Sequence, residues 1–179
     1  MNKLRFLILP CMLLLAALCA SAQSTQLDLP RQSQKAQIMQ RIGITDVTIV
    51  YHRPLVDGRK IFGGLVPYGE VWRTGANPAT TLITAANLKI GTLDVPAGTY
   101  TIYTLPSASQ WLLIVNKQTG QWGTVYNKDQ DLGRTPMQSK TLPAPQEKMS
   151  ISFENTSGNT TELHIKWETT DEYVTIKAE

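Results

Sequence analysis

The chain has 179 residues, with 17 basic against 14 acidic side chains, 42% hydrophobic and 7% aromatic residues, and two cysteines. That apolar content excludes a disordered tail, and so few cysteines exclude a disulfide-held scaffold. The formal charge of +3 is partly a property of the first segment alone.

That segment reads as a leader. Lys3 and Arg5 form a short positive region, Phe6 to Leu18 is almost wholly apolar, and Ala20-Ser21-Ala22 supplies small residues for cleavage. This order predicts a secretory signal peptide over 1–22 and a mature chain from Gln23, in the periplasm or outside the cell. The apolar run of 13 residues contains Pro10 and falls short of the ~20 that cross a bilayer. No later window reaches that length, so no transmembrane segment is expected in the mature chain. Leu18 stands where a lipidation motif carries a small residue, which argues against a lipid on Cys19.

Cys11 and Cys19 both fall in the leader, so the mature chain is expected without a disulfide, a thiol nucleophile or a cysteine metal ligand. Without Lys3 and Arg5 the count is 15 basic against 14 acidic, a charge of +1, which argues against a nucleic-acid partner. The remaining 157 residues suit one core. The expected organisation is a flexible arm over 23–35 and a single domain over 36–179.

Strand signals then follow in chain order. Ile44 to Arg53 is β-branched and apolar on both faces, as in a central strand. Thr80 to Ala85, Leu88 to Val95, Thr99 to Leu105 and Trp111 to Asn116 succeed it, with a turn at Val95-Pro96-Ala97-Gly98. Lys117-Gln118-Thr119-Gly120 predicts a hairpin link into a strand over Gln121 to Tyr126. Residues 127–147, with Pro136, Pro143 and Pro145, read as a long surface excursion. Met149 to Glu154 and Leu163 to Trp167 alternate cleanly, and Tyr173 to Lys177 reads as a last strand. Eight to ten short strands predict an all-β fold, an antiparallel β-sandwich or jelly-roll-like domain.

Chemistry concentrates in Tyr51 to Asn77, where 27 residues hold five glycines, four aromatics, Arg53, Arg59, Lys60, Arg73, Asp57 and Glu70. Glycines let a backbone approach a ligand, aromatics present flat apolar faces, and Arg offers a planar fork for carboxylate or phosphate. One reading is a ligand-binding site framed by Tyr51, Arg53, Arg59, Tyr68, Glu70, Trp72, Arg73 and Asn77, for a glycan or other small polar or anionic ligand. The other reading is a clamp, in which the aromatics cover a sheet end and Arg73 pairs with Glu70 or Asp57.

The strings GRKIFGGLVPYGEVWRTGANPATT, VPAGTYTIYTLP and WLLIVNK resemble a secreted bacterial family, found especially in Bacteroidota and catalogued as domain of unknown function 2911. The resemblance covers roughly 35–177 and implies an exported, mostly β domain. It implies no catalytic residue.

The enzyme readings are thin. A hydrolase would have to use Glu70, Asp57 or His52, for the mature chain has no G-x-S-x-G elbow and only His52 and His164 as imidazole bases. His164 shares the polar face of its strand with Glu162 and Lys166 and is expected to be exposed. No cofactor or metal site is expected. Asn127, Asp129 and Asp131 begin like a calcium loop, but Leu132 replaces the sixth-position glycine and Gln138 the closing glutamate. The sequence therefore favours a non-catalytic binding module, with an envelope structural or protein-interaction module and a hydrolase as its rivals.

Overall fold

A computed structural model describes residues 32–179; the leader at 1–22 and the first part of the arm lie outside the described residues. Ten strands follow: β1 Gln34–Ile42, β2 Thr45–Arg53, β3 Thr80–Thr84, β4 Leu88–Ile90, β5 Leu93–Val95, β6 Gly98–Leu105, β7 Leu112–Asn116, β8 Asp131–Pro136, β9 Gln138–Ser157 and β10 Thr160–Ala178. One turn of 3-10 helix, Lys128–Gln130, precedes β8. The strands form a six-stranded sheet in the order β1-β2-β3-β6-β7-β8 and a four-stranded sheet in the order β5-β4-β10-β9. Every pairing is antiparallel, and the fold is an all-β sandwich. No helix among the described residues is long and apolar enough to cross a membrane.

The core lies between the sheets and follows from alternation. On β2, Thr45, Val47, Ile49 and Tyr51 are buried and their neighbours half-buried, because successive side chains of a strand point to opposite faces. Leu82, Ile102, Leu113 and Val115 join them from the same sheet, against Leu88, Ile90, Met149, Ile151, Leu163, Ile165 and Trp167 from the other.

The structure departs from the sequence reading at five places. Strand β1 was not foreseen, and its pairing with β2 starts at Gln34 and Lys35, within the expected arm. The run Leu88 to Val95 is a hairpin, not one strand: Ile90 pairs with Leu93 across Gly91 at φ 55°, a conformation glycine adopts without strain. Gln121 to Tyr126 forms a loop, and β8 takes its place beside β7. The excursion at 127–147 is largely paired, as β8 and the first half of β9. Pro143 and Pro145 fit because β9 is an edge strand with unmatched residues between Thr141 and Gln146, the setting in which strands tolerate proline.

The fifth departure joins Leu163 to Trp167 and Tyr173 to Lys177 into one strand, β10. An irregularity around Glu168, at φ 53°, interrupts its register with β9. Before it the odd residues Leu163, Ile165 and Trp167 face the core; after it the even residues Val174, Ile176 and Ala178 do. A one-residue slip flips every side chain beyond it to the other face.

Candidate functional site

The segment from Pro54 to Ala79 closes one end of the sandwich. Val56 and Asp57 are held to β9 through the Glu147 carbonyl and carboxylate, at 2.9 Å each. Trp72 exchanges backbone hydrogen bonds with Thr104 at 2.8 and 2.9 Å. Ile61, Phe62, Val66 and Trp72 are driven into the core. Phe62 meets Trp111 edge-on at 4.7 Å, and Trp72 stacks on Trp167 at 5.9 Å, contacts worth about 0.5–1.5 kcal/mol each beyond area burial. To this extent the segment is the sheet-end cover that the clamp reading expected.

It also frames a cleft of about 290 Å³, lined by Arg59, Leu65, Trp72, Arg73, Asn77 and Trp167 with Ser33. Arg59 folds over its own turn, donating to the carbonyls of Val56 at 3.0 Å and Leu55 at 2.6 Å. Asn77, at φ 60°, donates to the Ser33 carbonyl at 3.3 Å. Arg73 differs from both. Its Nε is buried with no hydrogen-bond partner, and it makes no ion pair among the described residues, with Glu70 or Asp57 included. Burial lowers its pKa from the ordinary arginine value, without approaching neutrality for a guanidinium. Gly123 seats the stem: a Cβ there would run into the Arg73 side chain and the Asn77 carbonyl. Sequence reading missed Gly123, whose only signal is a glycine inside a strand-like run.

The remaining residues of the expected site lie elsewhere. Tyr51 is 3% exposed, and its hydroxyl bridges to the Ile151 amide at 3.0 Å and carbonyl at 3.3 Å. Arg53 donates from Nε to the Met149 carbonyl at 2.8 Å. Both tie β2 to β9. Tyr68 is 47% exposed and stands at a different cleft. Glu70 and Asp57 are exposed and do not line the Arg73 cleft. His52 is half-buried on the face of β2 opposite Tyr51.

Two clusters on β10 escaped the sequence reading. His164 is 1% exposed, not solvent-facing. Its Nδ1 lies 2.7 Å from Asp171, its Nε2 lies 3.1 Å from Glu162, and its ring stacks on Tyr173 at 4.8 Å. Seven extended residues would span about 23 Å, so only the bend of β10 brings Asp171 back to His164. Lys166 meets Glu154 at 2.6 Å beside them. Burial pushes the Glu154 carboxyl up, but hydrogen bonds from Lys166 and Ser152 and the charge of His164 outweigh it and hold it below the ordinary range. Hydrogen bonds from Asn155 and His164 likewise hold Glu162 low.

The second cluster surrounds Glu172, which is 2% exposed. Its Oε1 accepts from Ser139 at 2.7 Å, while its Oε2 is buried with no hydrogen-bond partner. It lines a cleft of about 170 Å³ with Phe62, Tyr68, Trp111 and hydroxyl side chains.

The residues resembling a calcium loop are used internally. Asn127 caps the 3-10 turn by accepting from the Asp129 amide at 3.0 Å, and Asp131 binds Tyr126 at 2.6 Å, Asn116 at 2.8 Å and Arg134 at 2.9 Å. Burial and the Asp131 contact push the Tyr126 hydroxyl up to about 12.

A family model described as a protein of unknown function (DUF2911) matches residues 33–176, and the chain belongs to that family. No curated protein and no solved structure matches it.

Proposed function

We propose that this member of the DUF2911 family is an exported, non-catalytic binding module whose Arg73 cleft takes a small anionic ligand, such as an acidic sugar. The observation that carries the reading is Arg73: an arginine that lines the cleft and makes no ion pair among the described residues, with its Nε buried and without an acceptor there. Such a donor costs about 1–3 kcal/mol when left unmade, and a carboxylate or phosphate matches its fork. Trp72 offers an apolar wall and Asn77 an amide at the same cleft. The hydrolase rival gains no support, since Asp57, Glu70 and His52 do not meet there.

The test is thermal unfolding with glucuronate, galacturonate and inorganic phosphate. A bound anion at 100 times its Kd adds about 2.7 kcal/mol, a rise of several degrees, and Arg73→Ala abolishes it. A flat response from a folded protein overturns the reading. It would favour the envelope-interaction rival, for which Met39 and Ile83, exposed at 62% and 41%, flank Thr48 on the outer sheet face. Export itself is tested by sequencing the N-terminus of protein recovered outside the cytoplasm, which should begin at Gln23.

A further inference from the structure

The lining of the Arg73 cleft is charged in one sense only. Arg59 and Arg73 are both part of it, and among the described residues no aspartate or glutamate is. The whole chain, by contrast, sets 17 basic against 14 acidic side chains. Arg41 and Arg134, which do not line this cleft, have Asp46 and Asp131 as partners at 3.3 and 2.9 Å. Neither Arg59 nor Arg73 makes an ion pair among the described residues. Like charges that share a small concavity repel each other, and a counter-charge between them relieves that cost.

We infer, resting on the assignment of this cleft as an anion site, that its ligand is a small organic dianion and that Arg59 is the second anchor which selects the second charge. Arg59 is placed before any ligand arrives. Its Nε donates to the Val56 carbonyl at 3.0 Å and its Nη2 to the Leu55 carbonyl at 2.6 Å. Carbonyls fix the side chain without cancelling its charge, and these two bonds leave Nη1 unused among the described residues. A cation already held in position loses less conformational entropy on binding than a free one. Arg59 is also exposed, so an anion can reach it. The volume of about 290 Å³ stands at the lower end of ligand clefts, which limits the skeleton between or behind the charges to a few carbons. Leu65, 49% exposed, gives the same lining an apolar edge for that skeleton. A dicarboxylate would place one charge at each arginine. A phosphate monoester, close to doubly charged above its second ionisation, would place both charges on one end.

The experiment is calorimetric titration of the protein at pH 7.5 and low ionic strength with four probes on one six-carbon skeleton: glucose, glucuronate, galactarate and glucose 6-phosphate. Charge thus rises from none to one to two, and the last two probes separate charges at both ends from a double charge at one. The expected result is that at least one dianion binds about tenfold more tightly than glucuronate, or ~1.4 kcal/mol, and that glucose does not bind. Arg59→Met brings the ratio of dianion to glucuronate affinity close to one. Arg59→Lys, which keeps the charge but not the guanidinium fork over the turn, retains most of the ratio, so the pair separates lost charge from a disturbed turn. Arg73→Ala abolishes binding of every probe, and unfolding of each unliganded variant confirms its fold. If glucuronate binds and neither dianion gains over it, or if the gain survives Arg59→Met, the dianion inference is overturned while the Arg73 reading stands. If none of the four probes binds, both fall.

Discussion

Asp171 and Glu172 are adjacent carboxylates on β10, 4% and 2% exposed, and the strand turns them to opposite faces. Asp171 closes a polar network in which His164, Glu162, Lys166 and Glu154 satisfy one another. Glu172 faces inward with one oxygen satisfied and one orphaned. Burial is the same for both, so burial does not distinguish structure from site. Completion of the hydrogen-bonding inventory does: a finished network holds a bend in place, and an unfinished group carries an uncompensated cost.

The largest test breaks the finished side. Asp171→Ala leaves His164 buried without its Nδ1 partner and should cost about 3–5 kcal/mol in a urea unfolding experiment.

Next comes the pH dependence, which should carry opposite signs for the two groups. The folded pKa of Glu172 is raised from 4.5 to about 7, so the folded state holds this proton more tightly than the unfolded chain. Its contribution to stability is full below the unfolded value and is lost as pH rises through the folded one, a change on the order of 3 kcal/mol at about 1.4 kcal/mol per unit. Glu154 and Glu162 are depressed; their contribution is present above the ordinary carboxylate range and lost as pH falls through their lowered values. Glu172→Gln should flatten the neutral limb of a stability-against-pH curve and leave the acid limb. An unchanged neutral limb would place Glu172 among ordinary carboxylates.

Smaller effects extend the comparison to Arg73, the other unfinished group. Gly123→Ala forces a Cβ against the Arg73 stem and the Asn77 carbonyl and should cost about 1–3 kcal/mol. Part of that cost should return in the Arg73→Ala background, as a double-mutant cycle would read. Arg73→Met removes the unmade donor while keeping apolar contact, and should raise stability by about 1 kcal/mol while abolishing the anion response. A stability loss of that size would mean that Arg73 is held by the fold and is not kept for a ligand.

Much of the sandwich was legible because its signals are local. Val47, Ile49 and Tyr51 on β2, and Leu163, Ile165 and Trp167 on β10, alternate as a half-buried strand must. Strand β8 and the first half of β9 were not legible, since their Pro-containing stretches become strands only through a partner's hydrogen bonds. Of the expected site, composition alone found the segment that closes the sandwich and its cleft-lining Arg59, Trp72, Arg73 and Asn77. It could not tell Arg53, which donates to the Met149 carbonyl, from Arg73, whose Nε finds no acceptor among the described residues. Both are arginines near aromatics in the same 27 residues.

The sequence by itself determined the all-β class, the alternating core faces, the DUF2911 membership and the expectation of a leader, because each rests on residue order over short distances. The tertiary structure alone decided which polar groups are finished. Whether His164 is solvated or sealed, and whether Glu172 faces water or core, turns on the irregularity at Glu168, which bends β10 and shifts its phase by one residue. Strand phase is cumulative, so one residue's conformation reassigns every side chain after it, and residue types alone carry no record of that slip.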